Sequence, residues 1–214
     1  MDEIVTAANA GDAFWQQQHE DKYREHVREI NEYVDDLRAQ RGGVRVPHVA
    51  PLHGGNQASA LSVLADPGPR TEDTGMLCVR NPDPTSRVQR QLMNAVNLRP
   101  VDLTPWNAYP WIRPFAGKNQ VLTAKEREAG EEALIGVICL MPALRVLFLQ
   151  GDQARTVGLG ISGRLALERP EVTIVHSCHP LGTRRRTPPA AEEAKKRQLM
   201  DWQKMAALAR VCER

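Results

Sequence analysis

The chain has 214 residues, of which 42% are hydrophobic, 25% charged and 5% aromatic, and its formal net charge is +2. This composition excludes a disordered or fibrous protein and leaves enough chain for one domain with a sizeable core. Runs of 18 or more apolar residues are absent, and the opening MDEIVTAANAGDAF lacks the basic-then-apolar layout of a secretory signal, so a cytoplasmic protein without membrane contact is expected.

From Phe14 to Gln40, Tyr23, Val27, Ile30, Val34 and Leu37 step by four and three, which predicts one long helix stopped by Gly42 and Gly43. It forms an N-terminal helical extension, residues 1–43, ahead of an α/β domain over 44–214. VRVPHVAPLHGGNQ reads as an extended lead-in. ASALSVLAD (58–66) then reads as a buried strand ended by Pro67 and Gly68, followed by a polar stretch to Ser86 and a helix over 88–98. A second strand is predicted over 101–111, a helix over 126–144, a third strand over 145–150 and a fourth over 172–178. A last helix runs from about Ala190 to Cys212 with Leu199, Trp202, Met205 and Ala209 on one face. Strands alternating with helices imply right-handed crossovers, a mainly parallel four-stranded sheet and an α/β/α sandwich. Ligands of such sheets bind beyond the carboxyl ends of the strands.

Charge is unevenly distributed. Residues 1–40 hold ten acidic against four basic side chains, and 176–214 hold nine basic against four acidic, including Arg184, Arg185 and Arg186. Such a run is either a local phosphate-binding surface or a solvated turn and helix face. Cys78, Cys139, Cys178 and Cys212 are too scattered for a zinc ribbon or an iron–sulfur signature, so free thiols and no metal are expected. Alternation along the fourth strand separates His176 and Cys178 from His179, which argues against zinc there. GLGISG (158–163) spells a dinucleotide fingerprint but does not open a helix directly after a strand and has no acidic residue about 20 positions on. No cofactor is expected.

Three strand ends carry chemistry. Asp66, Asn107 and His179 supply an acid, an amide and an imidazole, the set that cleavage of an N-glycosidic bond requires. The amide reads the donor and acceptor edge of a base, the imidazole donates to a base oxygen as negative charge develops, and the carboxylate orients water and meets the sugar cation. Each also has a plainer reading: Asp66 as a turn-former, Asn107 as a loop residue and His179 as a satisfied strand-end histidine. Asn81 and Asp83 in RNPDPTS either contact the base or sugar or belong to a proline turn that caps the following helix.

LSVLADPGPRTEDTG resembles the first motif of the uracil-DNA glycosylase superfamily, and SCHPLGTR resembles its His-Pro motif. TPWNAYPW between them is similar to the strand bearing the base-reading asparagine, and VLFLQGDQA to the third-strand motif. VPHVAPLHGG, DPGP, NPDPTS, WNAYPW and HP in that order most resemble a bacterial branch without an iron–sulfur cluster, over roughly residues 44–186. The resemblance implies a monofunctional DNA glycosylase, acting as a monomer, that hydrolyses uracil or a related modified pyrimidine from DNA. Asp66 and His179 would be catalytic, Asn107, Asn81, Pro67 and Gly68 would bind the base, and Leu181, Arg184, Arg185 and Arg186 would form the wedge and phosphate clamp. His-Pro-Leu stands where the family has His-Pro-Ser, Gly182 and Thr183 stand where the wedge leucine lies, and no aromatic near Met76 or Leu77 excludes a methyl group. A bulkier modified base in foreign DNA, or a DNA-binding member without catalysis, are the alternatives. No lysine in these motifs can form a Schiff base, so water is the expected nucleophile.

Overall fold

The computed structural model describes residues 12–113, 121–184 and 187–210. Its centre is a four-stranded parallel sheet of β2 (Ala60–Leu64), β4 (Leu103–Asn107), β5 (Val146–Gln150) and β6 (Thr173–Ser177), in the spatial order β4-β2-β5-β6. The expected α/β/α architecture is therefore observed. β1 (His48–Val49) and β3 (Met76–Leu77) form a separate two-stranded parallel ladder. Short 3-10 turns cover Gly55–Gln57 and Pro100–Asp102.

Apolar residues occupy both faces of these strands, as burial on both sides demands. Ala60, Leu103, Val146, Phe148 and Val175 pack with Met93 and Val96 from the region of α4 (Pro84–Ala95), and with Trp202 and Met205 of α8 (Ala190–Ala209). Leu61, Val63, Trp106, Leu147 and Leu149 face α2 (Glu25–Ala39), α5 (Ala124–Cys139) and α6 (Asp152–Gly160). Asp83 caps α4 by accepting from Ser86 N–H at 2.9 Å, which settles the capping alternative for that residue. Thr123 and Glu126 form a capping box on α5.

The predicted N-terminal helix is in fact two, α1 (Asp12–Glu20) and α2, because Asp21 to Arg24 form a turn closed by Arg24 N–H to the Asp21 carbonyl at 2.8 Å. Val27, Ile30, Val34 and Leu37 on α2 are wholly or almost wholly buried, each contributing roughly 1.5–3 kcal/mol of transfer free energy. Two stretches left unassigned by the sequence also hold helices: α3 (Pro69–Thr74) after β2, and α6 and α7 (Ser162–Glu168) between β5 and β6. GLGISG spans the end of α6 and the start of α7, far from a strand-to-helix turn. Its Gly158 is a packing glycine, since an added Cβ would lie 2.2 Å from Leu149 Cδ1. No helix among the described residues is long and apolar enough to cross a membrane.

Candidate base-binding cavity

The strand order makes β2 and β5 the point at which the crossovers part. The connection after β2 runs through α4 on one face, and the connection after β5 runs through α6 and α7 on the other. Loops leaving adjacent strands in opposite directions open a crevice at their carboxyl ends. A cavity of about 480 Å³ opens there, bounded by the loop after β2, by β3 and its following turn, by the first turns of α4, by the end of β4, and by His179.

Asp66, Asn107 and His179 all line this cavity. Asn107 is the last residue of β4, in register with Leu64, and is only 2% exposed. Its Oδ1 is buried without a protein partner. A buried acceptor left unmatched costs about 1–3 kcal/mol, so this oxygen is open to a hydrogen-bond donor from outside the chain. Asp66 lies two residues beyond β2, in a loop held to the end of β4 by Ala108 N–H to the Leu64 carbonyl at 2.7 Å and Tyr109 N–H to the Ala65 carbonyl at 2.9 Å. Arg113 donates to Asp66 Oδ2 from Nη2 at 2.7 Å and from Nε at 3.3 Å, which fixes the carboxylate's orientation.

His179 is held on several sides. Its Nδ1 accepts from Leu181 N–H at 3.1 Å, so the neutral ring carries its proton on Nε2. Its carbonyl accepts from Gly182 N–H at 2.7 Å and from Gln198 Nε2 of α8 at 3.2 Å. Gly151, with φ +93°, packs behind it: an added Cβ would lie 3.2 Å from His179 Cβ. The floor is formed by Ser62, whose hydroxyl accepts from Gln150 Nε2 at 2.7 Å, and by Leu77, Cys78 and Val79. Burial pushes the Cys78 thiol up to about 12, so it is an inert wall and not a nucleophile.

Pro67 and Gly68 line the mouth. Asn81 lines the cavity as well, but both its amide donors are committed to the scaffold, to Met76 O at 2.9 Å and Thr71 Oγ1 at 3.3 Å, and its Oδ1 accepts from Thr74 Oγ1 at 2.9 Å. Leu181 is half-buried and Arg184 exposed in the turn after His179, and neither lines the cavity. Arg185 and Arg186 lie outside the described residues, as does Cys212.

Sequence reasoning missed Ser62, Gln89 and Thr85 on the cavity wall, and Arg113 and Gly151 behind it. Strand alternation alone could have found Ser62, which lies on the same face of β2 as Leu64, two positions from it. Among the described residues no group of three His, Cys, Asp or Glu side chains is placed to hold a metal, and no lysine lines the cavity. No protein-family model matches this chain, and comparison with curated proteins finds no match.

Proposed function

We propose that the protein is a monofunctional DNA glycosylase of the uracil-DNA glycosylase type, which hydrolyses the bond between a modified pyrimidine and its sugar. The observation that carries the reading is the meeting of Asp66, Asn107 and His179, distant in sequence, on one cavity at the carboxyl ends of β2, β4 and β6. A target base in duplex DNA must leave the stack to enter such a cavity. Asn107 Oδ1 then accepts from the pyrimidine ring N–H. As the C1′–N1 bond breaks, its electron pair moves into the ring and onto the base O2, where His179 Nε2–H donates a hydrogen bond. Asp66 orients the water that attacks C1′ and accepts its proton, leaving a free base and an abasic sugar.

DNA is the partner under this reading, with the turn from Leu181 to Arg184 beside the cavity mouth as its contact, and a cytoplasmic monomer as the working form. The test is incubation with single-stranded and duplex oligonucleotides carrying uracil or modified pyrimidines, followed by alkaline cleavage at abasic sites. Strand scission that is lost in Asp66→Asn supports the reading. Retention of the modified oligonucleotide without any abasic product would instead identify a binding protein.

A further inference from the structure

Away from the base cavity, the layer between β5, β6 and α8 is apolar until its carboxyl end. Phe148 and Val175 face α8, where Trp202 meets the Phe148 ring edge-on with centroids 5.1 Å apart. Two residues further along each strand, the same face carries Gln150 and Ser177, which are register partners. Gln150 is completely buried. Its Nε2 donates to Ser62 Oγ at 2.7 Å, while its Oε1 has no partner in the protein. Turning the amide over would exchange an unmatched oxygen for an unmatched nitrogen and remove nothing. The Ser177 hydroxyl and the Trp202 indole Nε1 are likewise buried without a partner. Among the described residues, three of the six buried side-chain polar atoms that lack a partner therefore belong to this one layer.

Their chemistry is complementary. The indole N–H only donates, the amide oxygen only accepts, and the hydroxyl does either. Folded interiors leave few such atoms unmatched, and where several meet they share ordered water, which makes about three hydrogen bonds in such places. Asp201, one residue before Trp202 on α8, stands beside Ser177 but outside hydrogen-bonding geometry. Burial raises its pKa, and the nearby Ser177 hydroxyl opposes that rise. A second cavity, of about 180 Å³ and lined by Cys178, Arg197, Gln198 and Asp201, begins there and gives water a way in from solvent.

We infer that this layer is an internal water site, in which an ordered water accepts from Trp202 Nε1 and donates to Gln150 Oε1 and Ser177 Oγ. The water joins the ends of two strands. Gly151, which packs behind His179, follows Gln150, and His179 lies two residues after Ser177. Gly151 N–H donates to the Ser177 carbonyl at 2.9 Å, so backbone and water tie the same two strand ends. Ser62, the other partner of Gln150, lines the base cavity. A polar row from Ser62 through Gln150 and the water to Ser177 thereby fixes where His179 leaves the sheet. Gln150 and Ser177 do not line the base cavity, and their role is positioning. The water site is independent of the base-excision reading, whereas its effect on the His179 chemistry rests on that reading.

The experiment reads water contacts of the indole protons by NMR on the full chain. The Trp202 indole proton, assigned by its loss in Trp202→Phe, should show a water cross-peak of opposite sign in NOESY and ROESY spectra, as a resident water gives. The Trp111 indole, which donates to the Leu37 carbonyl at 3.0 Å, is the dry control. Gln150→Met keeps the length of the side chain and removes its polar atoms, and should weaken the Trp202 cross-peak at least about fivefold, as should Ser177→Ala. Because both residues hold one water, their effects on the unfolding constant should fall short of multiplying by about threefold or more in the double variant. On the excision reading, each variant should also slow single-turnover base release about tenfold, with the Kd of the free base within about twofold of the parent. Circular dichroism confirms folding, and the parent chain and Ser177→Ala decide the matter where Gln150→Met does not fold. Absence of a water cross-peak at Trp202, or one unchanged in the variants, overturns the inference whether or not any base is released. A resident water whose loss leaves base release unchanged overturns the positioning role. If no oligonucleotide loses a base, the excision reading fails, and the NMR result still decides the water site.

Discussion

Arg113 Nη2 lies 2.7 Å from Asp66 Oδ2, so the acid assigned to water is held by a cation from the segment after the neighbouring strand. Arg113 is itself seated beside the Tyr109 ring, 5.9 Å from its centroid, in a cluster where Arg41 stacks on Trp111 at 3.7 Å. Asp66→Asn should lower the rate of base release by about 10²- to 10⁴-fold with a smaller change in substrate affinity. Arg113→Met leaves the carboxylate but frees its orientation, and should lower kcat by roughly tenfold. Single-turnover rates separate the two, and equal, small losses would remove Asp66 from its assigned role.

His179 depends on a residue with no side chain. Gly151 has φ +93° and faces His179 Cβ, so Gly151→Ala introduces both backbone strain and a push on the imidazole. A stability loss of about 1–3 kcal/mol and a fall in kcat are expected together. Gly163, within α7 and with open space around it, is the control: Gly163→Ala should be neutral or stabilising by up to about 1 kcal/mol. Thermal unfolding and base release measured on both variants check the contrast.

Under the proposed function, Asn107 exchanges stability for recognition. Its Oδ1 is buried without a partner, so Asn107→Leu, of similar size, should raise stability by about 1 kcal/mol while abolishing base binding. Urea unfolding and free-base titration give the two readings. A destabilised Asn107→Leu would show that the amide serves the scaffold.

Stability should fall with pH through His53. This ring is completely buried, with Nδ1 3.1 Å from the Leu103 carbonyl and Nε2 accepting from Val79 N–H at 3.2 Å, so it must be neutral to keep both bonds. Burial pushes its pKa down from 6.5 to about 4, against the raising effect of the Leu103 carbonyl. The unfolded chain therefore takes up the proton first. The contribution is full above about pH 6.5, declines as pH falls towards 4, and amounts to about 3 kcal/mol. His48, lowered to about 4 chiefly by burial and then by the Arg38 charge, against the raising contact with Asp35, adds in the same window. Urea unfolding at pH 7 and pH 4 measures the sum, and His53→Gln should flatten the slope markedly.

The sheet and its order of elements were legible because buried parallel strands are short apolar runs with hard stops, as in ALSVL before Asp66 and VLFLQ before Gly151. The convergence of Asp66, Asn107 and His179 was legible for the same reason, since strand ends in such a sheet share one edge. DQARTVGLG was not recognised as α6 because its two glycines and few apolar residues blur the helical period. The break between α1 and α2 was hidden by apolar spacing that continues through Tyr23, a residue in the turn itself. Gln89 is brought to the cavity and Arg113 to Asp66 by tertiary packing, and nothing in their local sequence marks them.

Tyr33 on α2 stacks on Trp106 of β4 with centroids 6.4 Å apart, and its hydroxyl sits in the notch left by Gly136, where an added Cβ would be 2.1 Å from that oxygen. Trp106 immediately precedes Asn107, so the brace behind this cavity amide comes from a segment that no chemical motif would lead an engineer to keep. Trimming the chain to its motif-bearing part, from residue 44 onward, would strip away that support and lay bare a greasy flank over α5. A shortened version should aggregate before it can be assayed, and inactivity in such a preparation would say nothing about the chemistry of the cavity.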